Sequence, residues 1–124
     1  MTISGPAARL FDAARVASAR ARLAPSEETE RLAAWFRVLG DATRTRILCA
    51  LLEAGELCVG DLSATVDATE TSVSHALRWL RAAEMVRTRR AGRMVYYSLD
   101  DGHVRMLLDV GLEHLRHASD PSTQ

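Results

Sequence analysis

The stretch between residues 59 and 99 changes its hydrophobic period once, and this change restricts the folds that the chain can adopt. Apolar residues at spacings of three and four predict a short helix over 59–66 and a longer one over 70–82, separated by a tight turn. Beyond Met85 the period shortens, and β-forming residues predict two strands joined by a turn at Ala91-Gly92. The pattern therefore predicts two helices joined by a turn and followed by a hairpin.

Four further helices are expected from the apolar spacing and from residues that begin or end helices. They cover residues 6–23, 26–39, 41–52 and about 101–117. Ser26 and Asp41 are expected N-caps, and Gly40 and Gly55 are expected to end the second and third helices of the chain. In the second helix a core-facing stripe is expected at four positions, namely Leu32, Trp35, Phe36 and Leu39. The predicted fold class is mainly α with a small β-hairpin.

The chain has 124 residues, enough for one small domain. We expect this domain over residues 26–118, with an N-terminal helical arm over 1–25 and a polar tail over 119–124. No run of about 18 apolar residues occurs, so no membrane span is expected. Two cysteines, Cys49 and Cys58, are too few for a disulfide framework and favour a reducing, cytoplasmic location.

The helix over 70–82 presents small hydrogen-bonding residues and an arginine opposite its apolar stripe. Short side chains let a helix approach the floor of the DNA major groove, where polar tips reach bases and phosphates. The residues of this helix expected to contact DNA are Thr71, Ser72, Ser74, His75 and Arg78. The hairpin adds Arg89, Arg90 and Arg93, which suit phosphate or minor-groove contacts. A hairpin in this position is a wing, and the whole pattern predicts a winged helix-turn-helix.

The charges are segregated, although the formal net charge of the chain is zero. Residues 72–97 hold six arginines and one glutamate, a net charge of +5, whereas residues 98–124 have a net charge of −3. This division predicts one face that binds a polyanion and another that binds a cation.

The last predicted helix carries four residues of metal-ligand type, namely Asp101, His103, His114 and His117. His114 and His117 are three apart and share one helix face, whereas His103 precedes His114 by roughly 16 Å of helical rise. Zinc–nitrogen bonds are about 2.0–2.1 Å long, so one straight helix cannot bring all four residues to one ion. Two antiparallel copies, related by a twofold axis near Leu108 and Asp109, can do so. The spacing therefore predicts a homodimer with two identical sites.

With these residues in view, the chain resembles the ArsR/SmtB family of winged-helix metal-sensing repressors over roughly residues 30–117. The motifs that carry the resemblance lie at residues 38–44, 56–62, 72–77 and 92–99. The resemblance implies a homodimer joined through its terminal helices, whose metal-free form holds operator DNA and whose metal-bound form releases it. The four ligand-type residues match the pattern of the zinc-sensing branch, Asp-x-His followed by His-x-x-His, which implies Zn²⁺ as the regulatory ligand.

Two other metal sites of the family lack residues in this chain. The arsenic sensors need a Cys-x-Cys, and here Gly60 follows Cys58 at the second position. Another family site joins Cys58 and Asp61 to Cys or His ligands from the N-terminal arm, but residues 1–48 contain neither type. The resemblance therefore favours the site on the last helix.

Two alternatives remain open from the sequence. A nickel or cobalt sensor on the same scaffold would need extra ligands for six-coordination. A non-metal regulator would use the last helix for dimerisation only, and would respond to oxidation through Cys49 and Cys58 or bind DNA constitutively. An enzyme is not expected, because four protein ligands leave no open metal position for a substrate.

Overall fold

The computed structural model describes residues 12–119. The chain divides into two compact units, with the boundary between Ala33 and Ala34. The elements, in chain order, are α1 (Ala13–Arg22), α2 (Ser26–Leu39), α3 (Ala42–Ala54), β1 (Leu57–Cys58), α4 (Val59–Val66), α5 (Glu70–Ala82), β2 (Val86–Ala91), β3 (Met94–Leu99) and α6 (Gly102–Ser119). None of the helices in this part of the chain is long and apolar enough to cross a membrane.

Helix α1 is shorter than the predicted helix over 6–23. It begins at Ala13 because the side chain of Asp12 accepts a hydrogen bond from the backbone N–H of Arg15 at 2.8 Å, as an N-cap does. The rest of the predicted helix, residues 6–11, lies outside the described residues.

Helix α2 has the predicted bounds, but two predictions about its residues are wrong. Ser26 is its first helical residue rather than its N-cap, since the Pro25 carbonyl accepts the Thr29 N–H. Leu32 and Phe36 are about half exposed, at 53% and 50%. Phe36 lies about 100° around the helix from Trp35, so it falls beside the stripe that packs on the core.

The junction between α2 and α3 is fixed by polar contacts. Asp41 caps α3, as predicted, by accepting the Arg44 backbone N–H at 2.9 Å. The Arg44 guanidinium in turn donates to the backbone carbonyls of Val38 at 2.7 Å and Arg37 at 3.3 Å. Gly40 follows α2 without adopting a positive φ, whereas Gly55 ends α3 with φ +86° and returns its N–H to Leu51. The carbonyls of Arg37 and Val38, which end α2, therefore have donors from the first turn of α3.

Helices α4 and α5 form the predicted helix-turn-helix, with the predicted bounds. Asp67 takes the left-handed conformation after α4, and the Thr69 hydroxyl caps α5 by accepting the Ser72 N–H at 3.0 Å. The apolar stripe predicted on α5 is buried, and its members are Val73, Ala76, Leu77 and Leu80. They belong to a core shared with α3, α4 and α6.

The hairpin is confirmed, but its turn lies one residue later than predicted, at Gly92-Arg93. Gly92 has φ +64°, and Ala91 pairs with Met94 across the loop. A two-residue loop with glycine first suits the twist of a hairpin, which places Ala91 in the strand. The sheet also contains β1, which was not predicted, in the antiparallel order β1-β3-β2. β1 has only two residues, too few for an alternating pattern.

Helix α6 is one continuous helix. The Asp101 carboxylate accepts backbone N–H groups from His103 at 2.9 Å and Val104 at 3.3 Å, and so caps its N-terminus. Val104 and Leu108 are buried against the core. The result is a mainly α winged helix-turn-helix, which confirms the predicted fold class.

Candidate nucleic-acid interface and metal centre

Helix α5 is the recognition helix of this fold. All five of its residues predicted to contact DNA are exposed, namely Thr71, Ser72, Ser74, His75 and Arg78. Thr71, Ser74, His75 and Arg78 are spaced three and four apart, so they form one stripe opposite the buried residues. Ser72 lies beside this stripe, and its backbone N–H is taken by the Thr69 cap. A single subunit thus presents a ready-made polar helix face, and its contact with DNA remains a prediction.

Trp79 lies next to this face and was not predicted to take part. Its ring is 50% exposed, and its indole N–H donates to Nε2 of His75, one helical turn earlier, at 3.3 Å. The guanidinium carbon of Arg44 lies 5.4 Å from the centroid of the Trp79 ring, within cation–π range. The i, i+4 spacing of His75 and Trp79 was visible in the sequence, although the contribution of Arg44 was not.

The wing arginines differ in their surroundings. Arg89 is held by Glu56 through two hydrogen bonds, from Nε at 2.9 Å and Nη2 at 2.8 Å, and it lies 4.8 Å over the Tyr96 ring. The side-chain hydrogen bond from Arg89 lowers the pKa of Glu56. Arg90 and Arg93 are exposed near the turn and have no polar partner among residues 12–119. Arg89 therefore braces the wing, which the sequence did not indicate.

A small cleft of about 220 Å³ opens between the recognition helix and β3. Its lining includes Arg78 and two polar residues that were not predicted, Arg81 and Tyr97. Two guanidinium groups and a phenol at one cleft give hydrogen-bond donors and positive charge for an anionic group.

The four ligand-type residues lie on α6 and at its cap, and all four are exposed. His103, His114 and His117 share one helix face with Met106 and Val110, since these positions are separated by three, four, four and three residues. Met106 and Val110 are 61% and 60% exposed. This face, which we call the histidine stripe, therefore has an apolar centre and histidines at both ends. Leu108, near which we placed the twofold axis, is buried in its own subunit.

Asp101 and His103 form one half of the predicted metal centre. Asp101 Oδ2 lies 3.4 Å from His103 Nδ1, and the hydrogen bond from His103 lowers the pKa of the Asp101 carboxyl. Two ligand atoms bound to one tetrahedral zinc ion at 2.0–2.1 Å are about 3.3–3.4 Å apart. When Nδ1 is the unprotonated nitrogen of His103, these two atoms are therefore close enough together to bind one zinc ion.

The other half, His114 and His117, lies about three turns further along α6. Within residues 12–119 of one chain, no group of three or more His, Cys, Asp or Glu side chains is close enough to hold a metal ion. The structure thus brings Asp101 and His103 together, and it leaves this pair far from His114 and His117 of the same chain.

The two cysteines are separate thiols in the structure. Cys58 is buried, whereas Cys49 is only half-buried. Burial, assisted by the nearby Glu53 carboxylate, raises the pKa of the Cys49 thiol. A thiol that stays protonated is a weak nucleophile, so its surroundings do not favour oxidation sensing.

The fold and the polar face of α5 define a class, the winged-helix DNA-binding regulators. Residues 41–88 match the family described as "Bacterial regulatory protein, arsR family". The chain is 42% identical over 92 residues to a transcriptional repressor SmtB homolog from Synechocystis sp., a match that covers 74% of this chain and 69% of that relative. It is 38% identical over 84 residues to a cadmium resistance transcriptional regulatory protein CadC homolog from Staphylococcus aureus. That match covers 68% of this chain and 69% of that relative.

Among solved structures, that of the antimony-specific transcriptional repressor AntR superposes with a TM-score of 0.71 and 33% identity. The superposition covers 90% of this chain and 97% of that one. The chain belongs to the ArsR/SmtB family of metal-sensing transcriptional repressors, and it is not an enzyme. These matches confirm the family resemblance that the sequence motifs indicated.

Proposed function

We propose that the protein is a homodimeric, zinc-responsive repressor. Its metal-free dimer binds operator DNA, and zinc binding between the two α6 helices releases it. One relative is named for cadmium resistance and a neighbour for antimony, so the metal must be argued from this chain's own donors. Three imidazoles and one carboxylate suit zinc, and they lack the paired thiolates that a soft ion prefers.

The observation that carries the proposal is the composition of the histidine stripe. One end of the stripe offers His103 beside Asp101, the other end offers His114 and His117, and Met106 and Val110 offer an apolar contact between them. An antiparallel partner helix would bury these two side chains and bring His114 and His117 of the partner subunit to Asp101 and His103. The same contact would thus join the subunits and complete both sites.

DNA recognition would use the exposed face of α5 and the wing. Two recognition helices in a dimer reach half-sites about 34–36 Å apart, so the operator should be a near-palindrome. Arg78, Arg90 and Arg93 would neutralise phosphates, which makes binding steeply salt-dependent. Of the wing arginines, Arg89 is already paired with Glu56, so its contact with DNA would compete with that ion pair.

Zinc binding would be coupled to DNA binding through the arrangement of the two subunits. When bound, zinc supplies a rigid tetrahedral link between the two α6 helices. The α6 residues Val104 and Leu108 pack in the same core as Leu77 and Leu80 of the recognition helix. A change in the angle between two α6 helices would therefore carry the recognition helices with it. Coupling energies of this kind are typically about 1–3 kcal/mol.

The experiment is an operator-binding titration with zinc, cobalt, nickel and cadmium, using the wild type, His103→Ala and Arg105→Ala. Arg105 is exposed on α6 but lies off the histidine stripe, so it is the matched control. We expect His103→Ala to bind the metal-free operator normally and to lose at least about 100-fold in zinc affinity. If zinc still released the operator from His103→Ala at the wild-type concentration, the proposal would be contradicted.

The spectrum of the cobalt(II) form tests the coordination. Four protein ligands predict the intense d–d bands of a tetrahedral ion. Weak bands, which indicate six-coordination, would instead support the nickel or cobalt sensor.

A further inference from the structure

The recognition helix carries a hydrogen bond that determines which nitrogen of His75 bears the proton. The indole N–H of Trp79 is 3.3 Å from Nε2 of His75. An indole nitrogen can only donate, so Nε2 must be the acceptor. A neutral imidazole that accepts at Nε2 carries its proton on Nδ1, and the doubly protonated form cannot accept at all.

Trp79 is itself held in place from the other side. The Arg44 guanidinium lies 5.4 Å from the centroid of its ring, and Arg44 is anchored by the carbonyls of Val38 and Arg37. These carbonyls end α2, where the negative end of the helix dipole favours a cation. Arg44, Trp79 and His75 therefore form a chain of contacts from the end of α2 to the exposed face of α5.

His75 has no other polar partner among the described residues. Its remaining ring nitrogen, Nδ1, is thus available on the face shared with Thr71, Ser74 and Arg78. A free histidine can present either a donor or an acceptor to a partner, whereas this one presents a donor only.

We propose that Trp79 is a positioning residue that fixes His75 in the Nδ1–H tautomer, so that the recognition helix offers a hydrogen-bond donor to an acceptor on DNA. In the major groove such acceptors are purine N7, guanine O6 and thymine O4, whereas the exposed amino group of cytosine is a donor. A phosphate oxygen is an acceptor of the same chemistry. The inference rests on the proposed DNA binding for its purpose, but its first test does not.

The first test measures the tautomer without DNA. Long-range ¹⁵N–¹H spectra of the full chain distinguish the two neutral imidazole forms, and His75→Gln identifies the His75 signals. For the neutral imidazole of the wild type we expect the Nδ1–H form. Trp79→Phe keeps an aromatic ring for Arg44 but removes the indole N–H, so the Nε2–H form should appear.

Trp35→Phe is the matched control, because it removes an indole N–H that lies outside α5. It should leave the His75 tautomer unchanged. An Nε2–H tautomer in the wild type, or an unchanged Nδ1–H tautomer in Trp79→Phe, would overturn the inference.

The second test uses duplexes selected from a random pool by the wild type. Trp79→Phe should bind them about threefold to tenfold more weakly, the effect of one lost hydrogen bond. Base analogues that each remove one major-groove acceptor (7-deazapurines for N7, 2-aminopurine for guanine O6, 5-methyl-2-pyrimidinone for thymine O4) then test a base acceptor, and methylphosphonate linkages test a phosphate. Sensitivity to one of these in the wild type, reduced in Trp79→Phe, supports the donor role, and insensitivity to both contradicts it. If no duplex is selected, the proposed function fails, and the tautomer result still decides the role of Trp79.

Discussion

Helices α5 and α6 hold their functional side chains in different ways. The exposed face of α5 is organised within one chain, since its helix is capped by Thr69, packed through Leu77 and Leu80, and contacted by Arg44 through Trp79. The ligand-type residues of α6 form two pairs about three turns apart. The face predicted to contact DNA is therefore preassembled within one chain, whereas the predicted metal centre would need a second chain. A site that takes ligands from two subunits would bind its ion only when the subunits adopt one relative arrangement.

The largest effect is expected where one change affects both regions. Val110→Asp places a charge at the apolar centre of the histidine stripe, where burial of two carboxylates would oppose association. An uncompensated buried charge costs about 3–5 kcal/mol, so we expect dimer association to weaken by about 100-fold or more. Sedimentation measures this, and both zinc and operator affinity should fall with it.

Arg105→Asp introduces the same charge on α6, away from the stripe, and should leave the dimer intact. If Val110→Asp remained dimeric at the same concentration, α6 would not be the interface, and the comparison of the two helices would fail.

The packing of α5 gives the second prediction. Leu77 is buried beneath the recognition helix, at 1% exposure, so Leu77→Ala leaves a cavity. We expect the free energy of unfolding to fall by about 2–5 kcal/mol, measured by denaturant unfolding. Met94→Ala, on the exposed wing, should change it by no more than about 0.5 kcal/mol. Equal losses for the two variants would show that α5 is not organised by the core of its own chain.

Substitutions in the wing are expected to have a smaller effect, on the salt dependence of DNA binding. Arg93 has no polar partner among residues 12–119, so in Arg93→Ala the slope of log affinity against log salt should fall by about one per subunit bound. The charge of Arg89 is already balanced by Glu56. Arg89→Ala should therefore reduce the slope less. A larger reduction for Arg89 would mean that this arginine exchanges Glu56 for a phosphate on binding.

The smallest effect concerns acid stability. The pKa of Glu56 is lowered in the folded chain by its hydrogen bond from Arg89, so its contribution to stability is complete above the ordinary range of glutamate. This contribution is lost as the pH falls through the lowered pKa. Both groups are exposed, so the change is small. Thermal unfolding midpoints measured from neutral pH downward should fall less steeply for Glu56→Gln, and parallel curves would rule out this role.

Much of the fold was predictable because its signals are local. Asp41 and Gly55 mark helix ends by their own chemistry, and the apolar stripe on α5 has a clear period. Phe36 was misplaced because an apolar residue beside a stripe resembles one within it. β1 was missed because two residues show no period, and its strand is defined by pairing with β3.

The candidate sites were predictable as sets of residues but not as geometry. The four ligand-type residues could be read from their spacing, whereas the 3.4 Å between Asp101 Oδ2 and His103 Nδ1 depends on the cap of α6. The ion pair between Glu56 and Arg89 joins residues 33 positions apart, so no local sequence pattern predicts it. The same holds for the contact of Arg44 with Trp79.

The central claim, that each metal centre takes ligands from both subunits, has a direct test in a mixed dimer. One subunit carries Asp101→Ala and His103→Ala, and the other carries His114→Ala and His117→Ala, with different affinity tags for purification. A site shared between subunits leaves one complete ligand set in this dimer, so we predict one tightly bound zinc per mixed dimer and two per wild-type dimer. If each site were formed within one subunit, both would be broken, and a mixed dimer that binds no zinc tightly would contradict the account.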